Sequence, residues 1–80
     1  MSVKISHFEW DEYNTGHLAE RRPEFELEFL EDVVTEAKSY FNFGYDRFGR
    51  KIYGAREGRI VVLFNIKRGK TARIFSVREI

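Results

Sequence analysis

The spacing of the hydrophobic residues changes about halfway along this chain, and that change constrains the fold more than any other feature. Between residues 25 and 41, apolar side chains recur three or four positions apart, which is the period of a helix. From residue 50 to residue 78 they alternate with polar side chains, which is the period of a strand. The sequence therefore predicts an α+β fold, with helices first and an antiparallel sheet after them.

The first predicted elements are a short strand and a helix. The stretch "SVKISHFEW" alternates loosely and predicts a short N-terminal strand at a sheet edge. Asp11 follows it and is suited to cap a helix, because its carboxylate can accept hydrogen bonds from unpaired backbone N–H groups. In this helix one stripe is shared by Tyr13, His17 and Arg21.

A second helix and three strands are predicted beyond it. Pro23 is suited to the first helical position, and acidic residues follow it where the helix dipole favours negative charge. The helical spacing continues to Phe41. The three strands cover roughly residues 50–55, 59–67 and 71–78, which with the N-terminal strand gives a sheet of three to four strands.

The turns between these strands set the predicted register. A tight turn at Glu57 and Gly58 joins the first two strands. A two-residue turn at Arg68 and Gly69, or a four-residue loop over "KRGK", joins the last two, and both give the same register. A three-residue loop in either hairpin would instead turn one strand over.

This register places Arg59 directly opposite Arg78 and separates two faces of the sheet. The predicted core face carries Tyr53, Ala55, Ile60, Val62, Phe64, Ile66, Phe75 and Val77, with Lys51 and Arg73 at its margins. The opposite face carries Arg50, Ile52, Gly54, Arg56, Arg59, Val61, Leu63, Asn65, Ala72, Ile74, Ser76 and Arg78. Because like charges opposite each other destabilise paired strands, these arginines favour an anion such as phosphate between them.

Size and composition bound the remaining choices. The 80 residues predict a single domain spanning residues 1–80, and its core depends on eight Phe, four Tyr and one Trp. The chain has no Cys, which excludes disulfides and thiolate metal sites, and we expect neither a metal nor a cofactor. Neither a membrane-spanning apolar stretch nor a signal peptide is visible, so we expect a cytoplasmic protein without membrane contact.

The near-neutral net charge of +1 conceals two oppositely charged halves. The first 45 residues carry ten acidic and four basic side chains, and the rest carry three acidic and ten basic ones. Either the basic half binds a polyanion, or the two halves neutralise each other within the fold. In the second case Arg50, Arg59 and Arg78 would form surface ion pairs with Glu24, Glu28, Glu31 or Glu36.

The arginines suit phosphodiester chemistry. Metal-free RNA cleavage begins when a 2′-hydroxyl attacks the adjacent phosphate, and guanidinium groups can stabilise the charge that develops there. Arginine is a poor general base, so that role would fall to histidine, and the chain contains only His7 and His17. For His17, a structural hydrogen bond within the fold is the competing interpretation.

Two segments resemble a known family. "FEWDEYNTGHLAERRPEF" is similar to the N-terminal signature of the BrnT toxins, a W-D-E-x-N-x-x-H-[ILV]-A motif at the start of the first helix. "RKIYGAREGRIVVLFNIKRGKTARIFSVR" resembles the strand block of that family, and the two segments together cover most of the chain. The matching residues are Trp10, Asp11, Glu12, Asn14, His17, Ser76 and Arg78. The chain departs from the pattern at Arg21 and Arg22, where many relatives carry His-Gly.

The resemblance implies a RelE-like fold and a ribonuclease toxin of a type II toxin-antitoxin pair. Its expected partners are RNA and a BrnA-like antitoxin that binds DNA, in a homodimer or a toxin-antitoxin hetero-oligomer. The family's first strand arginine could align with Arg47 or Arg50, and Arg50 shares the predicted face of the other arginines. The alternative is a non-catalytic module whose basic sheet binds nucleic acid or an acidic protein.

Eight candidate site residues result. The predicted catalytic residues are Arg50, Arg59, Arg78 and His17. The predicted RNA-binding residues are Arg47, Lys51, Arg56 and Ser76.

Overall fold

A computed structural model of the chain describes residues 5–68 and 70–80. These residues form β1 (His7–Phe8), α1 (Glu12–Arg21), α2 (Leu27–Glu36), β2 (Phe41–Tyr45), β3 (Lys51–Glu57), β4 (Ile60–Lys67) and β5 (Thr71–Glu79). The strands form one sheet in the order β1-β5-β4-β3-β2, in which β1 runs parallel to β5 and the other neighbours are antiparallel. The predicted α+β fold and the predicted edge position of the first strand are confirmed.

The start of α1 is fixed by a reciprocal cap. The Asp11 carboxylate accepts a hydrogen bond from the Asn14 backbone N–H at 3.0 Å, and the Asn14 side-chain oxygen accepts one from the Asp11 N–H at 2.7 Å. Asn14 is fully buried, and its amide nitrogen also donates to the carbonyls of Glu9 and Ile74. The bond to Ile74 satisfies a carbonyl on the edge of β5 and holds α1 against that strand.

The second helix begins later than predicted and ends earlier. Helix α2 starts at Leu27 instead of Pro23, because the Phe25 N–H donates to the Arg22 carbonyl and the chain makes a turn first. Its last residue is Glu36, and Phe41 opens β2, a strand that the prediction lacked. All five residues of β2 are exposed, and its sequence FNFGY alternates aromatic with non-aromatic residues; the prediction instead counted Phe41 in the helical spacing.

The β3–β4 hairpin turns one residue later than predicted. Glu57 pairs with Ile60, which makes Gly58 and Arg59 the turn residues. Gly58 has φ +60°, as the first position of a tight hairpin turn requires. The observed and predicted pairings differ by an even number of positions, so each side chain keeps its predicted face.

The β4–β5 hairpin has the three-residue loop that turns a strand over. Lys67 pairs with Thr71, so the loop covers residues 68–70, with Lys70 in the left-handed region at φ +58°. The predicted turn at Arg68 and Gly69 is therefore wrong in length, and Gly69 itself lies outside the described residues. This loop type is common in hairpins and places its last residue in that region.

Because this loop is one residue longer than the predicted turn, the first residues of β5 face the opposite side of the sheet from the one predicted. Ala72 and Ile74 are completely buried in the core, and the prediction that they share the arginine face is wrong. Arg73 pairs with Asn65 and lies on the opposite face, so its predicted place at the margin of the core face is wrong. Phe75 was predicted in the core, but it is half-buried and outside the core cluster, so that prediction is wrong as well.

A bulge at residue 75 restores the predicted faces further along β5. Phe64 pairs with Ile74 and Leu63 with Ser76, so one extra residue is accommodated between these pairs. Val77 is then buried in the core. Arg78 pairs with Val61, so the predicted pairing of Arg59 with Arg78 is wrong, and the Arg59 carbonyl accepts a bond from the Ile80 N–H instead.

Helix α2 and one side of α1 cover a single face of the sheet, here called the core face. The buried cluster consists of Leu18, Leu30, Val33, Val34, Ala55, Val62, Phe64, Ala72, Ile74 and Val77. At its centre Phe64 contacts Tyr40 edge-on and Tyr53 in a stack, with ring centroids 5.0 and 5.8 Å away. Within the described residues, no helix has the length and apolar character required to cross a membrane.

Candidate functional site

The other face of the sheet, here called the outer face, carries charged, polar and apolar residues in rows across β3, β4 and β5. One row contains Arg56, Val61 and Arg78, the next contains Gly54, Leu63 and Ser76, and a third contains Ile52, Asn65 and Arg73. A Cβ atom at Gly54 would overlap the ring of Phe43, so glycine is what lets β2 fold this ring onto the outer face. The outer face meets α1 along the edge of β5, and two cavities lie there.

The first cavity, here called the basic pocket, lies between the end of α1 and the end of β5. It encloses about 370 Å³ and is lined by His17, Leu18, Arg21, Arg22, Ser76, Val77 and Arg78. His17 and Arg21 are one helical turn apart on α1, next to the buried Asn14 and Leu18 stripe. Helix α1 packs along the edge of β5 and therefore also places an imidazole and a guanidinium next to the last residues of that strand.

The basic pocket holds three arginines. The Arg22 guanidinium lies 3.4 Å from both Glu24 and Glu79, which partly neutralise it. Arg21 and Arg78 are exposed, and no ion pair to either is found among the described residues. The pocket is therefore suited to an anion that can be reached by His17 and by the Ser76 hydroxyl.

The second cavity, here called the aromatic groove, lies at the other end of the α1–β5 contact. It encloses about 350 Å³ and is lined by Tyr13, Asp46, Arg47, Phe48, Arg50, Asn65, Arg73 and Phe75. Two of its three rings are strongly exposed, at 75% for Tyr13 and 68% for Phe48. The guanidinium groups of Arg47, Arg50 and Arg73 and the carboxylate of Asp46 also line the groove.

A carboxylate organises the loop that carries Phe48. Asp46 accepts hydrogen bonds from the Phe48 and Arg50 N–H groups and from the Arg50 side chain, at 2.9 to 3.0 Å. Desolvation by the surrounding loop acts to raise the pKa of Asp46, but these bonds and the Arg50 charge outweigh it and lower the pKa below its ordinary value. Arg47 and Arg50 each place a guanidinium carbon 5.1 Å from the Phe48 ring centroid.

Arg73 forms the opposite wall of the aromatic groove. Its guanidinium bonds Asp11 at 3.0 Å, lies 3.5 Å from Glu9 and sits 5.9 Å from the Tyr13 ring centroid. Its remaining nitrogen, Nη1, is buried and has no hydrogen-bond partner in the described part of the chain. A buried donor of this kind is costly unless a ligand or water completes it.

The structure divides the predicted site residues between these places. His17, Ser76 and Arg78 meet in the basic pocket, and Arg47 and Arg50 meet in the aromatic groove.

The other three lie in neither cavity. Arg56 lies near the end of β3, and Arg59 lies in the β3–β4 turn. Their side chains donate to the carbonyls of Gly58 and Ile80 at 2.7 and 2.6 Å. Lys51 starts β3, with its ammonium group 5.1 Å from the Tyr53 ring centroid.

The predicted convergence of Arg50 with Arg59 and Arg78 does not occur. Arg56 shares a row with Arg78, and Arg50 precedes Arg56 by six residues, so Arg50 lies roughly 20 Å from that row at about 3.3 Å per residue. One phosphate cannot contact both ends of the sheet.

The alternative of ion pairs between these arginines and the acidic helix is also not found. Arg50 pairs with Asp46 at 3.0 Å, and Arg59 bonds a carbonyl. Within residues 5–68 and 70–80, no ion pair joins any of these three arginines to Glu24, Glu28, Glu31 or Glu36.

Several site residues were missed from the sequence. Arg21 lines the basic pocket, and the stripe that it shares with His17 was the signal that could have identified it. Tyr13 continues that stripe into the aromatic groove. Arg73 and Phe75 could be placed only with the loop length and the bulge known.

In the ranges 5–68 and 70–80, no three His, Asp or Glu side chains are grouped closely enough to hold a metal ion. Comparisons with family models, with curated proteins and with solved structures found no match for this chain.

Proposed function

We propose that this chain is a metal-independent endoribonuclease that cleaves RNA in the basic pocket, and that it is the toxin of a cytoplasmic type II toxin-antitoxin pair. The observation that carries the proposal is the meeting of His17, Arg21, Ser76 and Arg78 in one pocket. Transesterification of RNA needs a proton acceptor for the 2′-hydroxyl and cationic donors for the phosphate, and this pocket offers both.

The proposed reaction uses each group in a separate role. His17 accepts the proton of the 2′-hydroxyl as its oxygen attacks the phosphorus atom. Arg21 and Arg78 donate hydrogen bonds to the two non-bridging oxygens, whose negative charge increases in the transition state. The bond to the 5′-oxygen then breaks, that oxygen takes a proton from water, and the hydroxide left behind takes the proton from His17, which restores the neutral imidazole. The products are a 2′,3′-cyclic phosphate and a free 5′-hydroxyl.

Ser76 and Arg22 support substrate binding in this scheme. The Ser76 hydroxyl can bond the sugar or a neighbouring phosphate, and Arg22 adds positive charge although Glu24 and Glu79 hold it. Among the described residues that line the pocket, His17 is the single imidazole and none is a carboxylic acid that could protonate the leaving group, so we expect a modest turnover.

A paired substitution tests the assignment. Purified protein is incubated with single-stranded RNA in a chelator, alone and as the variants Arg78→Ala and Arg68→Ala. Arg68 is an exposed arginine in the β4–β5 loop, at the opposite end of β5 from the pocket. Its replacement by alanine removes the same charge as Arg78→Ala. We expect Arg78→Ala to lower the cleavage rate by about 10²- to 10³-fold and Arg68→Ala to leave it nearly unchanged. Equal rates for the two variants would refute the site.

The toxin role has its own test. The gene is expressed from an inducible promoter, with and without the neighbouring open reading frame, which would encode a BrnA-like antitoxin. Growth arrest that the neighbour relieves supports the pairing, and growth without any arrest argues against it.

The second candidate function is a non-catalytic module that binds nucleic acid through the outer face. The aromatic groove favours it, because exposed rings beside guanidinium groups can bind single strands without cleaving them. RNA affinity that falls steeply with salt, in the absence of cleavage, would select this candidate.

A further inference from the structure

The two cavities are consecutive along one track. Tyr13 of the aromatic groove and His17 of the basic pocket are four residues apart on α1, a rise of about 6 Å. On β5, Phe75 lines the groove and the next residue, Ser76, lines the pocket. The two cavities are therefore adjacent, and an extended ligand bound in the basic pocket would reach the aromatic groove.

The groove presents rings and cations together. Tyr13 and Phe48 expose most of their surfaces, and Arg73 and Arg50 each lie within 6 Å of one of these rings. Asn65 lies between the two walls and is nearly buried. The Asn65 Nδ2 donates to the Lys51 carbonyl. The amide oxygen of Asn65 is then the atom that could accept a hydrogen bond from a ligand.

These features fit a nucleotide better than a peptide or a simple anion. A nucleobase stacks on an aromatic ring, and its phosphate pairs with a guanidinium group. An apolar peptide segment would cover Arg47, for which no ion pair is found among the described residues, without giving it an anion, which is costly. A free phosphate would leave the exposed rings in water.

We propose that the aromatic groove binds a nucleobase of single-stranded RNA, next to the phosphate that occupies the basic pocket. Tyr13 and Phe48 provide the stacking surfaces, Arg47 and Arg50 contact the backbone, and the Arg73 guanidinium adds positive charge to the wall beside Tyr13. This inference rests on the proposed function in taking RNA as the ligand, but it does not require cleavage.

The test measures binding separately from cleavage. A short fluorescently labelled RNA, fully 2′-O-methylated so that it has no attacking hydroxyl, is titrated by fluorescence anisotropy. An abasic oligomer with the same phosphates is titrated in parallel. The variants are Tyr13→Leu and Phe48→Leu, which keep apolar side chains but remove the rings. Tyr45→Leu is the matched control, because Tyr45 is 69% exposed and lies outside the lining of the groove.

The expected results distinguish stacking from charge. Each groove variant should weaken binding of the methylated RNA by about 5- to 150-fold, which corresponds to the loss of one stacked base. Tyr45→Leu should bind as the unaltered protein does, and the abasic oligomer should bind the groove variants and the unaltered protein alike. The inference is overturned if the groove variants bind the methylated RNA normally, or if Tyr45→Leu loses as much affinity as they do. Equal affinity of the unaltered protein for the two oligomers overturns it as well.

Failure of the proposed function has a different signature. If ordinary RNA stays intact while the groove variants lose affinity for methylated RNA, the nuclease proposal fails and the groove inference stands. If the unaltered protein cleaves RNA and the groove variants retain full affinity, the groove inference fails and the nuclease proposal stands.

Discussion

The two faces of the sheet come from the same three long strands, but one face forms the hydrophobic core and the other carries residues that line the cavities. On the core face, Phe64, Val62 and Ile74 are completely buried beneath the helices. On the outer face, Arg56, Arg78 and Ser76 stand in rows that end at two cavities. Since alternation along a strand sends neighbouring residues to opposite sides, stability and proposed function reside in adjacent positions of one chain segment. Substitutions on one face should therefore leave the other property nearly unchanged.

The strongest challenge to this separation is a truncation on the core face. Phe64→Ala removes a ring that contacts both Tyr40 and Tyr53, and we expect it to lower the free energy of unfolding by about 3 to 5 kcal/mol. That is a large part of the stability of a domain of this size. The measurement is equilibrium unfolding in urea. The matched control is Phe48→Ala on the exposed loop, which should cost less than about 0.5 kcal/mol. Similar losses for both would remove the distinction between the faces.

The second challenge changes the basic pocket alone. His17→Gln keeps a polar side chain of similar size but removes the proposed proton acceptor. We expect the rate of RNA cleavage to fall by about 10²-fold or more, with the urea midpoint unchanged, because His17 is exposed. His7→Gln, on β1 and outside both cavities, serves as the control for loss of an imidazole. Full activity of the His17 variant would exclude the proposed base.

Asn14 is expected to affect both stability and cleavage, because it is buried and connects α1, which carries His17, to β5. Asn14→Ala removes a helix cap and the bond to the Ile74 carbonyl, and we expect it to cost about 2 to 3 kcal/mol of stability. It should also lower RNA cleavage at temperatures where the protein stays folded, since α1 positions His17. Thr15→Ala is the control, because among the described residues its hydroxyl donates only to the Asp11 carbonyl, one turn earlier, and not to the sheet. A loss of stability with cleavage fully retained would show that α1 does not need this anchor for function.

The smallest expected effect concerns pH and the loop that carries Phe48. The pKa of Asp46 is lowered in the folded protein, so its stabilising contribution is present above the ordinary value of 3.8 and is lost as the pH falls through the lowered pKa. Arg50→Ala removes the side-chain bond and the nearby charge, and should raise the pKa of Asp46 toward that value. An NMR titration of the carboxyl group measures this shift, with Arg68→Ala as control. An unchanged titration midpoint in Arg50→Ala would argue against the Asp46–Arg50 contact.

Much of this architecture could be predicted from local signals. Asp11 and Asn14 have the side chains that a helix cap needs, and the alternation through β3 and β4 specifies which side chains are buried. The even difference between the predicted and observed β3–β4 registers kept Arg56 and Val62 on their correct faces. A register shift of two positions changes which residues pair across the strands but leaves each side chain on the same face of the sheet.

What could not be predicted depended on turn and bulge geometry. A three-residue loop over residues 68–70 and an extra residue at Phe75 each turn β5 over once, so the error is confined to residues 72–75. That short segment contains Arg73, which is why the aromatic groove was missed. Strand β2 was missed because Phe41 also fits the helical spacing of the preceding residues, although FNFGY alternates aromatic with non-aromatic residues. The turn at Phe25 replaced the helical start that Pro23 indicated.

The central claim is that RNA lies along the α1–β5 contact, with a phosphate in the basic pocket. Its most direct test is an NMR titration of the isotope-labelled protein with the 2′-O-methylated RNA, followed through the backbone amide signals. We predict that the largest shifts fall at His17, Arg21, Ser76 and Arg78 and extend to Tyr13 and Phe75, with little change in α2. Shifts concentrated on the exposed strand β2 or spread evenly over the basic residues, with the pocket amides unmoved, would contradict the claim.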